Sequence, residues 1–115
     1  VSFNVRHISE GFDESDVDAV FLDIPDPWNY LPQVRKAIAL GRRMGALLPT
    51  FNQIERFLRS LEENAFVDVE VLEILHRGLK CDPDRIRPED RMIGHTGYLI
   101  FATPVMPSGR GDEVI

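Results

Sequence analysis

Two short apolar runs, each closed by proline and each followed by a helical pattern, constrain the fold of this chain more than any other feature. Val17-Asp-Ala-Val-Phe-Leu-Asp-Ile24 is the first, and Pro25 and Pro27 forbid its continuation. Gly45-Ala-Leu-Leu48 is the second, closed by Pro49. Apolar runs of this kind read as strands buried on both faces, the mark of parallel sheets covered by helices. Asp26 with Pro27 is a suitable helix start. Leu31, Val34 and Ile38 then share one helical face, with Gly41 placed for a left-handed C-terminal residue. After Pro49, Thr50 and Gln53 have the spacing of a capping box, and Ile54, Phe57, Leu58, Leu61 and Ala65 form an amphipathic stripe.

The flanks extend this pattern. Val1–Ile8 alternates Val1, Phe3 and Val5 with polar residues and reads as a short strand, joined to Val17 by an acidic connector around Gly11. Val67, Val69 and Val71 alternate with Asp68 and Glu70, as in a strand with one wet face. Gly97–Ala102 is a last buried strand. Between them, residues 77–94 are polar, proline-interrupted and too long for a simple turn, which marks a loop with a use. The expected fold is α/β: the second half of a doubly wound, Rossmann-like sheet, mainly parallel. One strand is antiparallel, because no helix separates the last two. Residues 1–104 are expected to form the carboxyl-terminal half of such a domain, and 105–115 a disordered tail.

At 115 residues the chain is one domain at most. No apolar run approaches the roughly 20 residues that cross a bilayer, so no membrane partner is expected. The single Cys81 allows no internal disulfide and fits a cytoplasmic protein. Net charge is −6, and it arises before Pro27, where seven acidic residues face Arg6 alone. The remainder is balanced, with basic clusters at Arg35, Lys36, Arg42 and Arg43 and at Arg77, Lys80, Arg85, Arg87 and Arg91. Such clusters meet phosphate or are simply solvated faces, and both readings stand. The chain opens at Val1 directly into strand-like sequence, which points to a fragment.

Asp23 is the sharpest candidate for chemistry. It stands at the carboxyl end of a strand, where open α/β sheets place ligands, and a carboxylate there accepts hydrogen bonds from a ligand amine. A helix beginning at Pro27 would add positive potential. The plainer alternatives make Asp23 a turn former and Asp26 a helix cap. Trp28 either stacks on a base or lids the core beside Tyr30.

Asp23-Ile-Pro-Asp-Pro-Trp28 resembles the motif IV region of the class I S-adenosylmethionine-dependent tRNA (adenine-58-N1)-methyltransferases. The likeness extends to Ile8-Ser-Glu-Gly-Phe12, to Pro49-Thr-Phe-Asn-Gln53 and to the run Arg87–Ala102, which contains Arg91 and His95-Thr-Gly-Tyr98. The spaced Asp-x-Pro-x-Pro-Trp differs from the contiguous Asp-Pro-Pro-Trp of amino-directed DNA methyltransferases. The resemblance implies the carboxyl-terminal half of such a catalytic domain, with S-adenosylmethionine as cofactor, tRNA as substrate, no metal, and a homo-oligomer, commonly a tetramer. By resemblance Asp23 is the catalytic residue at cofactor and target base. His7 joins it at the cofactor, and Trp28, Arg91 and His95 face the substrate.

Two departures accompany the resemblance. His7 stands where the family carries an acidic residue near the cofactor adenine, so a strand-end role competes with a binding one. No glycine-rich Gly-x-Gly-x-Gly loop precedes the first strand, and the 115-residue chain alone is expected not to bind the cofactor. Two other classes of function stay open: a non-catalytic tRNA-binding subunit with a methyltransferase fold, and a small stand-alone α/β interaction domain that covers its cut sheet edge.

Overall fold

The computed structural model describes residues 1–90 and 93–107. A four-stranded sheet is built from β1 (Val17–Leu22), β2 (Ile38–Leu48), β3 (Phe66–His76) and β6 (Ile93–Pro104). Their order is β1-β2-β6-β3. β1 and β2 pair in parallel, and β6 runs antiparallel to both β2 and β3. Three strands therefore share one direction and β6 opposes them, as the missing helix between the last two strands requires. A short pair, β4 (Leu79–Lys80) and β5 (Arg87–Pro88), lies inside the long loop.

Two helices cover one face: α1 (Leu31–Ala37) and α2 (Phe51–Glu63). Their apolar stripes pack on Leu22, Met44, Ala46, Leu48, Ile100 and Ala102 from the sheet, closing a core in which Leu31, Val34, Phe57 and Leu61 have no exposed surface. The opposite face carries Phe21 and Phe101 on either side of Gly45. A Cβ at Gly45 would lie 2.9 Å from the Phe21 ring and 3.0 Å from that of Phe101. The missing side chain lets the two rings approach across the central strand.

Four sequence readings are corrected. Val1–Ile8 forms no strand: Val1, Phe3 and Val5 are fully exposed, and the segment ends in a 3₁₀ turn, Ile8–Glu10. Alternation creates a strand only where a partner pairs with it, and β1 is left as the outer edge of the sheet. The helix expected from Pro27 is broken. Pro27–Asn29 is a single 3₁₀ turn, and α1 begins at Leu31. Pro32 has no N–H to give to the Trp28 carbonyl, so a continuous helix cannot close there. The Ser60 hydroxyl donates to that carbonyl instead, at 2.9 Å.

Gly41 is not a helix cap. It lies within β2 at φ +83°, where the register jumps from Val17 opposite Ile38 to Ala19 opposite Arg43. That bulge accommodates three extra residues of β2, and the left-handed backbone belongs to it. Finally, Val67, Val69 and Val71 do not form a buried face, since each is more than 40% exposed. β3 is the other edge strand, and a bulge at Asp68 (φ +55°) breaks its alternation.

Candidate functional site

β1 and β2 are adjacent and parallel, so their carboxyl ends open side by side. Asp23, Ile24 and Pro25 follow β1; Pro49 follows β2; Gln53 is in the first turn of α2. These residues, with Leu47 and Leu48, line a groove of about 290 Å³. The α2 N-terminus is set by Thr50, whose hydroxyl oxygen accepts the Gln53 N–H at 3.3 Å. Gln53 does not return the bond of a full capping box. Its Oε1 accepts from the Thr50 hydroxyl at 2.7 Å, and its Nε2 donates to the Pro25 carbonyl at 3.1 Å. The side chain read as a cap thus fastens α2 to the loop after β1.

Asp23 is exposed at this groove, and among the described residues its carboxylate forms no hydrogen bond or ion pair. Asp26 behaves differently. Its side chain caps no backbone N–H. One carboxylate oxygen instead accepts from Asn29 Nδ2 at 3.1 Å and from the Tyr30 hydroxyl at 3.4 Å. Partial burial, and then the charge and hydrogen bond of Asp26, raise the Tyr30 phenol above its ordinary pKa. With only seven residues in α1 and a 3₁₀ turn before it, the helix-end potential expected at Pro27 does not arise.

His7 lies outside the groove. Its ring meets Tyr30 edge-on at 6.1 Å, and its Nδ1 accepts the Ser9 N–H at 3.1 Å, capping the turn Ile8–Glu10. Nδ1 is engaged as an acceptor, so the neutral ring carries its proton on Nε2. Trp28 packs on the core, and the Arg56 guanidinium sits 4.4 Å above its ring. Arg91 lies outside the described residues, as does the His95 side chain, although His95 falls within β6. The tail from residue 108 onward lies outside them too.

Several cations of the basic clusters are already engaged. Arg35 donates to the carbonyls of Asn64, Ala65 and Val105 at 3.0, 3.1 and 2.7 Å. Arg43 bonds the Asp68 carbonyl and Thr103 hydroxyl and pairs with Asp68 and Glu70. Arg42 pairs with Asp18, and Lys80 with Asp90. Sequence reading missed Arg56 and Ser60. Their signal was present: with Gln53 they occupy one flank of α2 at i, i+3 and i+7. That flank contacts, in order, the Pro25 carbonyl, the Trp28 ring and the Trp28 carbonyl. Among the described residues no group of three or more His, Cys, Asp or Glu side chains could hold a metal ion, and no helix is long and apolar enough to cross a membrane.

An open α/β sheet with an exposed carboxylate at the carboxyl end of two adjacent parallel strands is the arrangement at which the doubly wound class places its ligands. The chain belongs to the family described as tRNA methyltransferase complex GCD14 subunit, which matches residues 1–87. It is 39% identical over 111 residues to the tRNA (adenine(57)-N(1)/adenine(58)-N(1))-methyltransferase TrmI of Methanocaldococcus jannaschii, covering 95% of this chain and 39% of that protein. Its structure is similar to that of a SAM-dependent O-methyltransferase from Thermotoga maritima, with 51% identity, a TM-score of 0.80, and 92% and 40% of the two chains covered. It is also similar to the tRNA (m1A58) methyltransferase TrmI of Aquifex aeolicus, with 40% identity, a TM-score of 0.74, and 88% and 41% covered. The chain spans about two fifths of the length of these relatives.

Proposed function

We propose that this chain is the carboxyl-terminal half, residues 1–104, of the catalytic domain of a tRNA methyltransferase that acts on N1 of adenine. The observation that carries the reading is Asp23, exposed and, among the described residues, without a partner, in a groove whose far wall, Pro49 and Gln53, comes from the neighbouring parallel strand and its helix. An exposed acceptor there suits both the ammonium of S-adenosylmethionine and the amino group of a target base, so the residues present fit that cofactor. When bound, S-adenosylmethionine supplies an electrophilic methyl group.

The chemistry asks little proton transfer of the protein. Adenine N1 presents a lone pair, so no base need remove a proton before attack. With the N–C bond made and the methyl–sulfur bond broken, the sulfur leaving as a neutral thioether, the positive charge would pass to the adenine ring. Asp23 accepts a hydrogen bond from the N6 amino group and stabilises that charge where it develops. Gln53, through the Pro25 carbonyl, holds the loop and hence Asp23 in position. The base must leave the tRNA fold to reach the groove. His7 presents an Nε2–H donor where an acidic residue would accept, so at this position the hydrogen bond to the cofactor adenine would run to a ring nitrogen rather than from N6. Arg91 and His95 keep a substrate-facing role in this reading, and Trp28 acts from beneath Arg56.

The parent protein is further proposed to be a cytoplasmic homo-oligomer. The apolar side chains of β3 and the loop pair β4–β5, with Leu72, Leu75, Leu79 and Ile86 all exposed, support assembly through that edge. The test of function is product analysis: the full-length parent is incubated with S-adenosylmethionine and unmodified tRNA, which is digested to nucleosides for mass spectrometry. N1-methyladenosine is the expected product. A parent that binds the cofactor normally but leaves adenine N1 unmodified refutes the reading. A parent that binds tRNA without any methyl transfer would support the non-catalytic subunit instead.

A further inference from the structure

We infer that Arg56, held over the Trp28 ring, is a phosphate-binding residue that positions the RNA strand delivering a base to the Asp23 groove. The inference rests on the tRNA reading above and adds a residue to it.

Three observations carry it. First, Arg56 is exposed, and among the described residues it has no ion-pair partner. Arg6, Arg42, Arg43 and Arg59, by contrast, each face a carboxylate. Glu55, its sequence neighbour, is taken by Arg59 at 2.8 Å. Second, the guanidinium lies 4.4 Å from the centre of the Trp28 ring. A guanidinium held over an aromatic ring gains cation–π attraction and can still offer N–H donors to a phosphate, which its planar fork binds through two parallel hydrogen bonds. Third, Arg56 is one turn along α2 from Gln53, about 4.5 Å of helix rise, and Gln53 lines the groove with Asp23.

The same geometry revises the part played by Trp28. A base stacked on this indole would have to displace a guanidinium that already covers one face. Trp28 is therefore a positioning residue that acts through Arg56. It is anchored for that purpose by the Ser60 hydroxyl on its carbonyl. The tie from Gln53 to Pro25 and the tie from Ser60 to Trp28 bracket Arg56 on one helix flank, so cation, aromatic platform and groove are fastened to the same helix.

The experiment uses the full-length parent with an unmodified tRNA transcript. Arg56→Met, Arg56→Gln, Arg56→Lys and Trp28→Phe are compared by steady-state methyl transfer and by tRNA binding across a salt series. S-adenosylmethionine binding by calorimetry reports whether each variant folds. Losing one phosphate contact should raise KM for tRNA about tenfold, with the effect on KM exceeding that on kcat. It should also reduce the slope of log K against log salt by about one. Arg56→Lys should restore the slope but only part of the affinity, because the charge returns without the fork, and Trp28→Phe should fall between. If Arg56→Met or Arg56→Gln folds and leaves both KM and the salt slope at wild-type values, the inference is overturned and the contact with Trp28 is packing alone. A parent that methylates adenine N1 indifferently to Arg56 sinks only this inference. A parent that binds tRNA with an Arg56-dependent slope but never modifies N1 sinks only the functional reading.

Discussion

Replacing Arg35 by methionine tests whether the helical layer is fastened to the sheet as described. The Arg35 guanidinium bridges three backbone carbonyls: Asn64 and Ala65 in the α2–β3 turn and Val105 just after β6. It also lies 5.7 Å from the centre of the Phe66 ring, and Phe66 is buried. Methionine keeps most of the aliphatic stem and removes the donors. Hydrogen bonds from a charged donor contribute about 1.5–3 kcal/mol each. Asn64 and Ala65 are half-buried, so water can replace part of what their carbonyls lose. A total cost of about 2–4 kcal/mol is therefore expected, a large share of the 5–15 kcal/mol typical of a domain. Urea unfolding followed by circular dichroism should show the midpoint falling by about 1–2 M at unchanged slope. Lys36→Met, one residue along on the exposed side, should stay within about 0.5 kcal/mol. Equal midpoints for the two variants would refute the clamp and make Arg35 another solvated cation.

Other outcomes follow from single positions. Phe57→Ala empties the centre of the core, where Phe57 has no exposed surface, and should cost about 3–5 kcal/mol in the same assay. Ala65→Gly should stabilise by about 0.5–1 kcal/mol, because Ala65 sits at φ +59° in the α2–β3 turn, and thermal unfolding would register the rise. Tyr30 is raised above its ordinary value near 10.0, so the folded state holds the phenol proton more tightly than the unfolded chain does. Its contribution is complete below that value and is lost as pH climbs through the raised folded pKa. Absorbance titration should show a phenol transition above the ordinary value near 10.0, and Tyr30→Phe should remove it. Calorimetry on the isolated 115-residue chain should detect no tight S-adenosylmethionine binding.

The elements legible in the sequence are those whose signals are local. β1 is marked by an apolar run and stopping prolines, and α2 by Thr50 and its stripe, and each forms close to where the pattern places it; β2 ends where Pro49 stops it but begins at Ile38, seven residues before the run at Gly45, in sequence that reads as the end of a helix. The readings that failed depended on neighbours distant in the chain. Val1, Phe3 and Val5 alternate properly, but a strand exists only against a partner, and the edge of β1 carries none. Val67, Val69 and Val71 alternate too, yet strand order places β3 at the sheet's margin, and the Asp68 bulge disrupts the faces. The break in the helix after Pro27 was in plain view at Pro32, a missing N–H whose consequence is seen only once Ser60 takes the Trp28 carbonyl.

The candidate site divides in the same way. Asp23 could be placed at a strand end from sequence, whereas its groove could not, because Gln53 reaches it through a tertiary bond to Pro25. The basic clusters were legible only as composition. Arg35 and Arg43 turn inward onto carbonyls and carboxylates, whereas Arg56, outside either cluster and beside the groove, has no ion-pair partner among the described residues.

The most direct test of the account is Asp23→Ala in the full-length parent, with single-turnover methyl transfer and tRNA binding measured on the same preparation. Removing a carboxylate that stabilises the developing ring cation should slow transfer to N1 by about 10²–10³-fold while tRNA affinity changes less than threefold. Transfer at the wild-type rate in a folded Asp23→Ala protein would contradict the assignment of Asp23, and with it the mechanism built on this groove.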